Sequence, residues 1–136
     1  MLEVRNQATS FWLTGDVEKQ GEAEITERLT KNALNHLKDK TLIFMAPHHG
    51  SKTSSSQELL TALSPDVAFA QNGYRNRYGH PHPIVTARYQ GMGIPFYQTP
   101  TTGAQIWEFQ SNADSRVLEP IFWRQHSKRL WHREPQ

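Results

Sequence analysis

The stretch Thr41-Leu-Ile-Phe-Met-Ala-Pro47-His48-His49-Gly50-Ser51-Lys52-Thr-Ser54-Ser-Ser56 decides how the chain is read. From Thr41 to Ala46 it is a continuous apolar run between turn signals, the pattern of a strand buried on both faces. Pro47 stops the strand, and two imidazoles follow just past its carboxyl end. Ser55-Ser-Gln-Glu58 fits a capping box, which predicts a helix from Ser56 to Leu63 with Leu59, Leu60 and Leu63 turned inward.

Upstream, Leu2-Glu-Val4 and Phe11-Trp-Leu13 flank the polar Asn6 to Ser10, as in a β-hairpin, and Thr14-Gly-Asp16 ends the second strand in a tight turn. A helix is predicted over 22–37, because Ile25, Leu29, Ala33 and Leu37 recur at four-residue spacing and Leu34 widens the stripe. Glu22 and Glu24 near its start and Lys38 and Lys40 at its end follow the charge order a helix dipole favours. Downstream, Pro65 ends the short helix and 66–71 reads as the next strand. Pro83 opens a helix through Tyr89, closed by Gly91 or Gly93. Ile94 to Gln98 and Ala104 to Phe109 read as a last strand pair across Thr99-Pro-Thr-Thr-Gly103. Strands alternating with helices predict an α/β fold, in which functional groups gather beyond the carboxyl ends of strands.

Composition sets outer bounds. A chain of 136 residues is one domain by size, and its 36% hydrophobic content is low for a self-sufficient α/β core. Mean hydropathy is −0.71. The net charge of +2 permits contact with nucleic acid without arguing for it. With no cysteine, disulfides and thiolate metal sites are excluded. Nothing approaches the roughly 20 apolar residues of a membrane span, and Glu3, Arg5 and Asn6 interrupt any signal-peptide pattern. The chain itself is expected to be soluble.

Three loops carry candidate chemistry. Asp16 sits in a Gly-Asp turn, which alone is an ordinary loop signal. His48 and His49 are adjacent, so they point apart in an extended chain; one is expected at a metal, with His48 favoured, and the other holds the loop or faces substrate. Ser51, Lys52, Ser54 and free N–H groups near Ser56 would hold an anion at the helix start. A capped helix under a solvated Ser/Lys loop explains the same residues without any ligand. Gly79-His80-Pro81-His82 spaces two imidazoles one residue apart, suited to one ion, to a split between metal and substrate, or to a metal-free turn in which His82 caps the next helix. Together, one carboxylate and four imidazoles suit a borderline divalent metal, zinc or manganese. Ahead of them, Asn72-Gly-Tyr74-Arg75-Asn76-Arg77-Tyr78 interleaves guanidinium and aromatic groups able to pair with phosphates and stack on bases; an ordinary surface loop has the same composition. The tail 111–136, with Trp123, Trp131 and several basic residues, reads as a short helix or arm packing back on the domain, or as a DNA or membrane-surface contact.

Phe-Trp-Leu-Thr-Gly-Asp16-Val-Glu, the His-His-Gly-Ser run and Asn-Arg-Tyr-Gly-His-Pro-His-Pro, in that order, resemble the C-terminal half of a metallo-β-lactamase-fold domain. The wording is similar to the hydrolase-like domain of the ComEC-type DNA-internalisation competence proteins over about residues 2–110. The resemblance implies half of an αββα sandwich: one mixed sheet with helices on one face. It also implies an inner-membrane parent protein that imports one DNA strand, with this domain on the periplasmic side acting as a metal-dependent nuclease. In such a site Asp16 would bridge two metals, His48 would be a ligand, His80 and His82 would be ligands or phosphate contacts, and Lys52 and Arg75 would be electrostatic partners. His49 would complete the catalytic group with Asp16 and His48.

The family's His-x-His-x-Asp-His run is absent. A bridging carboxylate with one or two imidazoles leaves each metal short of ligands, so binding is expected to be weak or absent and catalysis feeble. A sheet face deprived of its other half would be exposed, which predicts a homodimer packed sheet to sheet. Two further functions compete with the nuclease: a non-catalytic module binding single-stranded DNA through Tyr74, Arg75, Arg77, Tyr78 and the tail, and a different metallo-β-lactamase-fold hydrolase acting on a small phosphodiester or ester.

Overall fold

The computed structural model describes residues 1–31, 37, 39–108 and 120–127. β1 (Leu2–Arg5) and β2 (Thr9–Leu13) form the expected antiparallel hairpin. Asn6 makes its turn, the side-chain oxygen accepting from the N–H of Ala8 and of Thr9 at 2.9 and 2.8 Å. α1 (Lys19–Lys31), β3 (Thr41–Met45), α2 (Gln57–Leu63), β4 (Val67–Ala70), α3 (Pro83–Gly91) and β5 (Phe96–Gln98) follow. The five strands lie in sequence order, and all pairs after the hairpin are parallel. Each new parallel strand joins the same edge, so crossovers of one hand put α1, α2 and α3 on the same face. The α/β class and the mixed sheet are as the sequence predicts.

The register divides the sheet cleanly. Trp12, Leu42, Phe44, Ala46, Ala68 and Ala70 face the helices and pack with Leu29, Leu59, Leu60, Leu63, Val85 and Tyr89. Tyr89 stacks on Phe96 with ring centroids 4.3 Å apart. Ile43, Val67 and Phe69 occupy the opposite face with Phe11, Met45, Tyr97 and Trp107. That second face is less bare than the sequence implied. Trp107 lies 6.0 Å from Phe69 and 6.5 Å from Phe11 between ring centroids, and Phe122 packs edge-on to Tyr97. Leu2 and Val4, at its β1 margin, remain more than half exposed.

Several boundaries differ from expectation. α1 begins three residues earlier than predicted, at Lys19; Ala33, Leu34 and Lys38 lie outside the described residues. Thr99 to Gly103 does not connect a strand pair. Pro100 enters a single helical turn, α4 (Thr99–Thr102), and Gly103 closes it at φ +71°. β5 pairs with β4, while β6 (Gln105–Ile106) pairs with β7 (Ile121–Phe122), which leads into α5 (Trp123–His126). Phe109 and the tail residues Lys128 to Gln136, Trp131 among them, lie outside the described residues.

The cap of α2 is also displaced by one residue. Ser56 is the cap, its hydroxyl accepting from Leu59 N–H at 3.4 Å, so Ser55 and Glu58 do not form the predicted box. Ser55 instead turns left-handed at φ +51°, and its hydroxyl accepts from the buried Tyr89. The N–H groups of Ser55 and Ser56 point at Glu22 of α1, whose two carboxyl oxygens accept them at 2.5 and 2.8 Å. Arg88 of α3 closes the other side by donating to the carbonyls of Ser54 (3.0 Å) and Ser55. Glu22 is fully buried. Glu22→Ala would strand the buried N–H of Ser55 and the partly buried N–H of Ser56, and we expect a loss of roughly 3 kcal/mol in urea unfolding, each orphaned group costing about 1–3 kcal/mol.

Candidate functional site

Because β2, β3 and β4 run parallel, the loops leaving their carboxyl ends emerge along one edge of the sheet. Short backbone bonds lock those loops together. Thr14 donates its hydroxyl to the Met45 carbonyl at 2.8 Å, and His48 N–H reaches the Gly15 carbonyl at 2.9 Å. His82 N–H reaches the Gly50 carbonyl at 2.8 Å. At Gly50 a side chain has no room: a Cβ would stand 2.6 Å from Cβ of Pro81, and φ is +79°. The structure therefore gathers Asp16, His48, His49, His80 and His82 at one edge, from loops 30 and more residues apart in sequence.

Within the group the histidines take different parts. His48 and His49 both adopt left-handed backbone, φ +47° and +55°, which is costly for residues with a Cβ. Two such residues in succession break the extended geometry that would send adjacent side chains to opposite faces, and their rings lie 6.4 Å apart. His49 is the one that faces Asp16, with Nε2 to Oδ1 at 3.7 Å. Its Nδ1 lies 2.6 Å from the Gln71 carbonyl. A carbonyl only accepts, so Nδ1 holds the proton and a neutral ring keeps its Nε2 lone pair on the Asp16 side, the tautomer selection familiar in metal-binding histidines.

His48 instead faces His80, ring centroids 6.1 Å apart, and His80 stacks with Tyr78 at 5.9 Å. His80 is fixed by its backbone: its N–H donates to Asn76 Oδ1 at 2.9 Å, and its carbonyl accepts from Asn72 and Asn76 amides at 3.1 and 2.5 Å. His82 caps α3, Nδ1 accepting from Ile84 N–H at 3.2 Å, which leaves Nε2 as its outward nitrogen.

The residues expected to hold phosphate divide into two sets. In the Ser loop, the anion position at the start of α2 is filled from within by Glu22, which corrects the expectation of free N–H groups near Ser56. Ser54 is buried and donates to the Ser51 carbonyl at 2.9 Å, Ser51 is largely buried, and only Lys52 of the three stands out in solvent. In the aromatic loop, Arg75 lies over the Tyr74 ring at 5.2 Å and Arg77 over Tyr78 at 4.8 Å, with the Tyr74 and Tyr78 rings exposed. Asn76, grouped with them from sequence, is engaged with the His80 backbone.

The donor set has the chemistry of a zinc or manganese site, and the His49 tautomer suits a ligand. Among the described residues, however, no three of His, Asp and Glu converge on a point that could hold an ion. The described residues therefore do not by themselves make a metal site. No helix among the described residues is long and apolar enough to cross a membrane.

Beside the His cluster, past the end of β4, opens a cleft of about 490 Å³ bordered by His49, Gln71, Asn72, Asn76, Tyr78 and His80. Gln71, Asn72 and Thr99 were not singled out from sequence. Asn72 exchanges two hydrogen bonds with Thr99, its N–H donating to the hydroxyl at 3.0 Å and its carbonyl accepting at 2.7 Å. The one signal that could have found them is position: both Gln71 and Asn72 follow directly on a buried parallel strand. Asn72 Oδ1 and His80 Nδ1 are buried with no hydrogen-bond partner among the described residues.

Comparison with known proteins gives a consistent set of relatives. The chain is similar to Competence protein ComA of Neisseria gonorrhoeae, 34% identical over 104 residues, covering 76% of this chain and 14% of that protein. It is similar to ComE operon protein 3 of Bacillus subtilis, 32% identical over 122 residues, covering 90% of this chain and 15% of the relative. It also matches Recombination protein 2 of Haemophilus influenzae at 37% over 88 residues, 65% of this chain and 10% of that one. The chain thus spans a small part of the length of the curated relatives it matches. No family model matches the chain, and no solved structure does.

His80 has its pKa lowered from 6.5, first by burial and then by the neighbouring His48, His49 and His82. Above 6.5 folded and unfolded chains are both neutral at this ring. As pH falls through 6.5 the unfolded chain takes up the proton first, so stability declines until the lower folded midpoint is passed. A side-chain NMR titration should place the His80 midpoint below 6.5.

Proposed function

This chain is a homologue of a segment of competence proteins, and on that premise we propose that it is the metal-dependent, nuclease-like part of a DNA-uptake protein, feeble or inactive on its own. The observation that carries this reading is the meeting of Asp16 and His49 at 3.7 Å on the carboxyl edge of a parallel ladder, with His48 and His80 beside them. In this proposal the domain is the C-terminal half of a metallo-β-lactamase fold. Its parent lies in the inner membrane with the domain on the periplasmic side, and the polymer handled is DNA. Asp16, His48, His49 and His80 form one side of a divalent-metal site, with the remaining ligands supplied by other residues. A divalent ion there would polarise a phosphodiester and acidify a water. Zinc or manganese titration followed by histidine side-chain NMR should perturb His49 and His48 first, weakly, and Asp16→Ala should abolish the response. A response confined to the distant His126, or none at all, would overturn the metal reading.

A second reading is favoured by the paired guanidinium and tyrosine groups of 74–78: a module that binds single-stranded DNA without cutting it. Arg75 and Arg77 would then neutralise phosphates while the exposed tyrosines stack on bases. Replacing both arginines by alanine should weaken binding of a short single strand. It should also reduce the slope of log affinity against log salt by about 1.4, at about 0.7 per lost phosphate contact. Binding and slope unaffected by a chelator, with no strand cleavage under any metal, would favour this reading over the first.

A further inference from the structure

We propose that the cleft past the end of β4 receives one nucleobase of a single DNA strand, and that it does so without selecting a sequence. The inference rests on the reading that this surface handles DNA, and it adds a base-holding subsite to it. Three observations converge on the cleft. Its exposed lining is dominated by carbon, and Tyr78, stacked on His80, forms an aromatic wall. Asn72 Oδ1 and His80 Nδ1, on residues that border the cleft, are buried without partners among the described residues, and buried polar atoms in that condition mark places where something else supplies the hydrogen bond. The Arg75 and Arg77 guanidiniums, held over their tyrosine rings, stand in the same loop as cleft residues Asn76 and Tyr78.

These features match a nucleotide unit better than an isolated anion or an apolar ligand. A flat ring packs on the part of Tyr78 that His80 and Arg77 leave exposed, and the neighbouring phosphates meet the two arginines. Every nucleobase carries at least one N–H donor on its Watson–Crick edge, and Asn72 Oδ1 is an unpartnered acceptor that rotation of the amide, at the expense of its bond to the His80 carbonyl, would bring to that edge. An acceptor alone cannot tell the four bases apart. His49 borders the cleft and also faces Asp16. A base seated there therefore lies next to the His49 ring.

The test compares a short thymidine strand with a strand of equal length made of abasic residues, which keeps every phosphate and removes every base. Affinity is read by fluorescence anisotropy, and the Asn72 side-chain amide is followed by NMR. The base-bearing strand should bind about ten-fold more tightly, the size of one base–aromatic stack, and should shift the Asn72 amide; an adenine strand should do the same. Tyr78→Ala should erase the ten-fold difference, and Tyr78→Phe should keep it. Equal binding of the two strands, still dependent on Arg75 and Arg77, would overturn the base subsite and leave the DNA reading standing. A base preference without any Asn72 shift would place the stacking outside the cleft and overturn the subsite too. Failure of the protein to bind either strand would overturn both.

Discussion

Two backbone N–H groups, those of Ser55 and Ser56, turn toward the interior, and the buried Glu22 carboxylate satisfies them both. Much else depends on this. Glu22 belongs to α1, the N–H groups to the entry of α2, and Arg88 on α3 closes the same loop through its carbonyls. Three helices that would otherwise share only apolar surface are thereby keyed to one another in register. The loop so held is the continuation of the His48–His49 turn, and α1 is the continuation of the Asp16 turn. The same buried carboxylate that stabilises the helical layer therefore also limits how far Asp16 and His49 can drift apart.

Much of the fold was legible in the sequence because its signals were local. The hairpin, the strand of Thr41, the helix after Ser56 and the Pro83 helix each rest on an apolar run with a punctuating Pro, Gly or Ser. What was illegible depended on partners distant in sequence. Ser55 reads as a helix cap until Tyr89 and Glu22 claim its hydroxyl and N–H. Thr99 to Gly103 reads as a hairpin turn until the Thr99 hydroxyl bonds to Asn72. In the candidate site, the members were visible as residue types, and the three-loop order was visible as a resemblance. The pairing of Asp16 with His49 was not, because it follows from two consecutive left-handed residues that no propensity predicts.

Four imidazoles stand beside one carboxylate, and the backbone around them decides which ring nitrogen carries the proton. His80 resists protonation because it is partly buried and because its neighbours are of its own kind. His49 has a proton placed on Nδ1 by the Gln71 carbonyl, and His82 presents Nδ1 as an acceptor to α3. Opposite tautomers are thus written into two loops by nothing more than the direction of a backbone carbonyl and a backbone N–H. One edge therefore presents an acceptor nitrogen from a neutral His49 and a donor nitrogen from a neutral His82.

The contact between Gly50 and Pro81 has a consequence for how such a site can be altered. With a Cβ at 50 falling 2.6 Å from Cβ of Pro81, and His82 N–H bonded to the Gly50 carbonyl, the two loops behave as one rigid casting. Neither can be lengthened, shortened or transplanted alone without lifting the other off the sheet. Diversification at this edge must therefore occur by paired replacement of both loops, or be confined to the exposed side chains of Tyr74, Arg75 and Arg77.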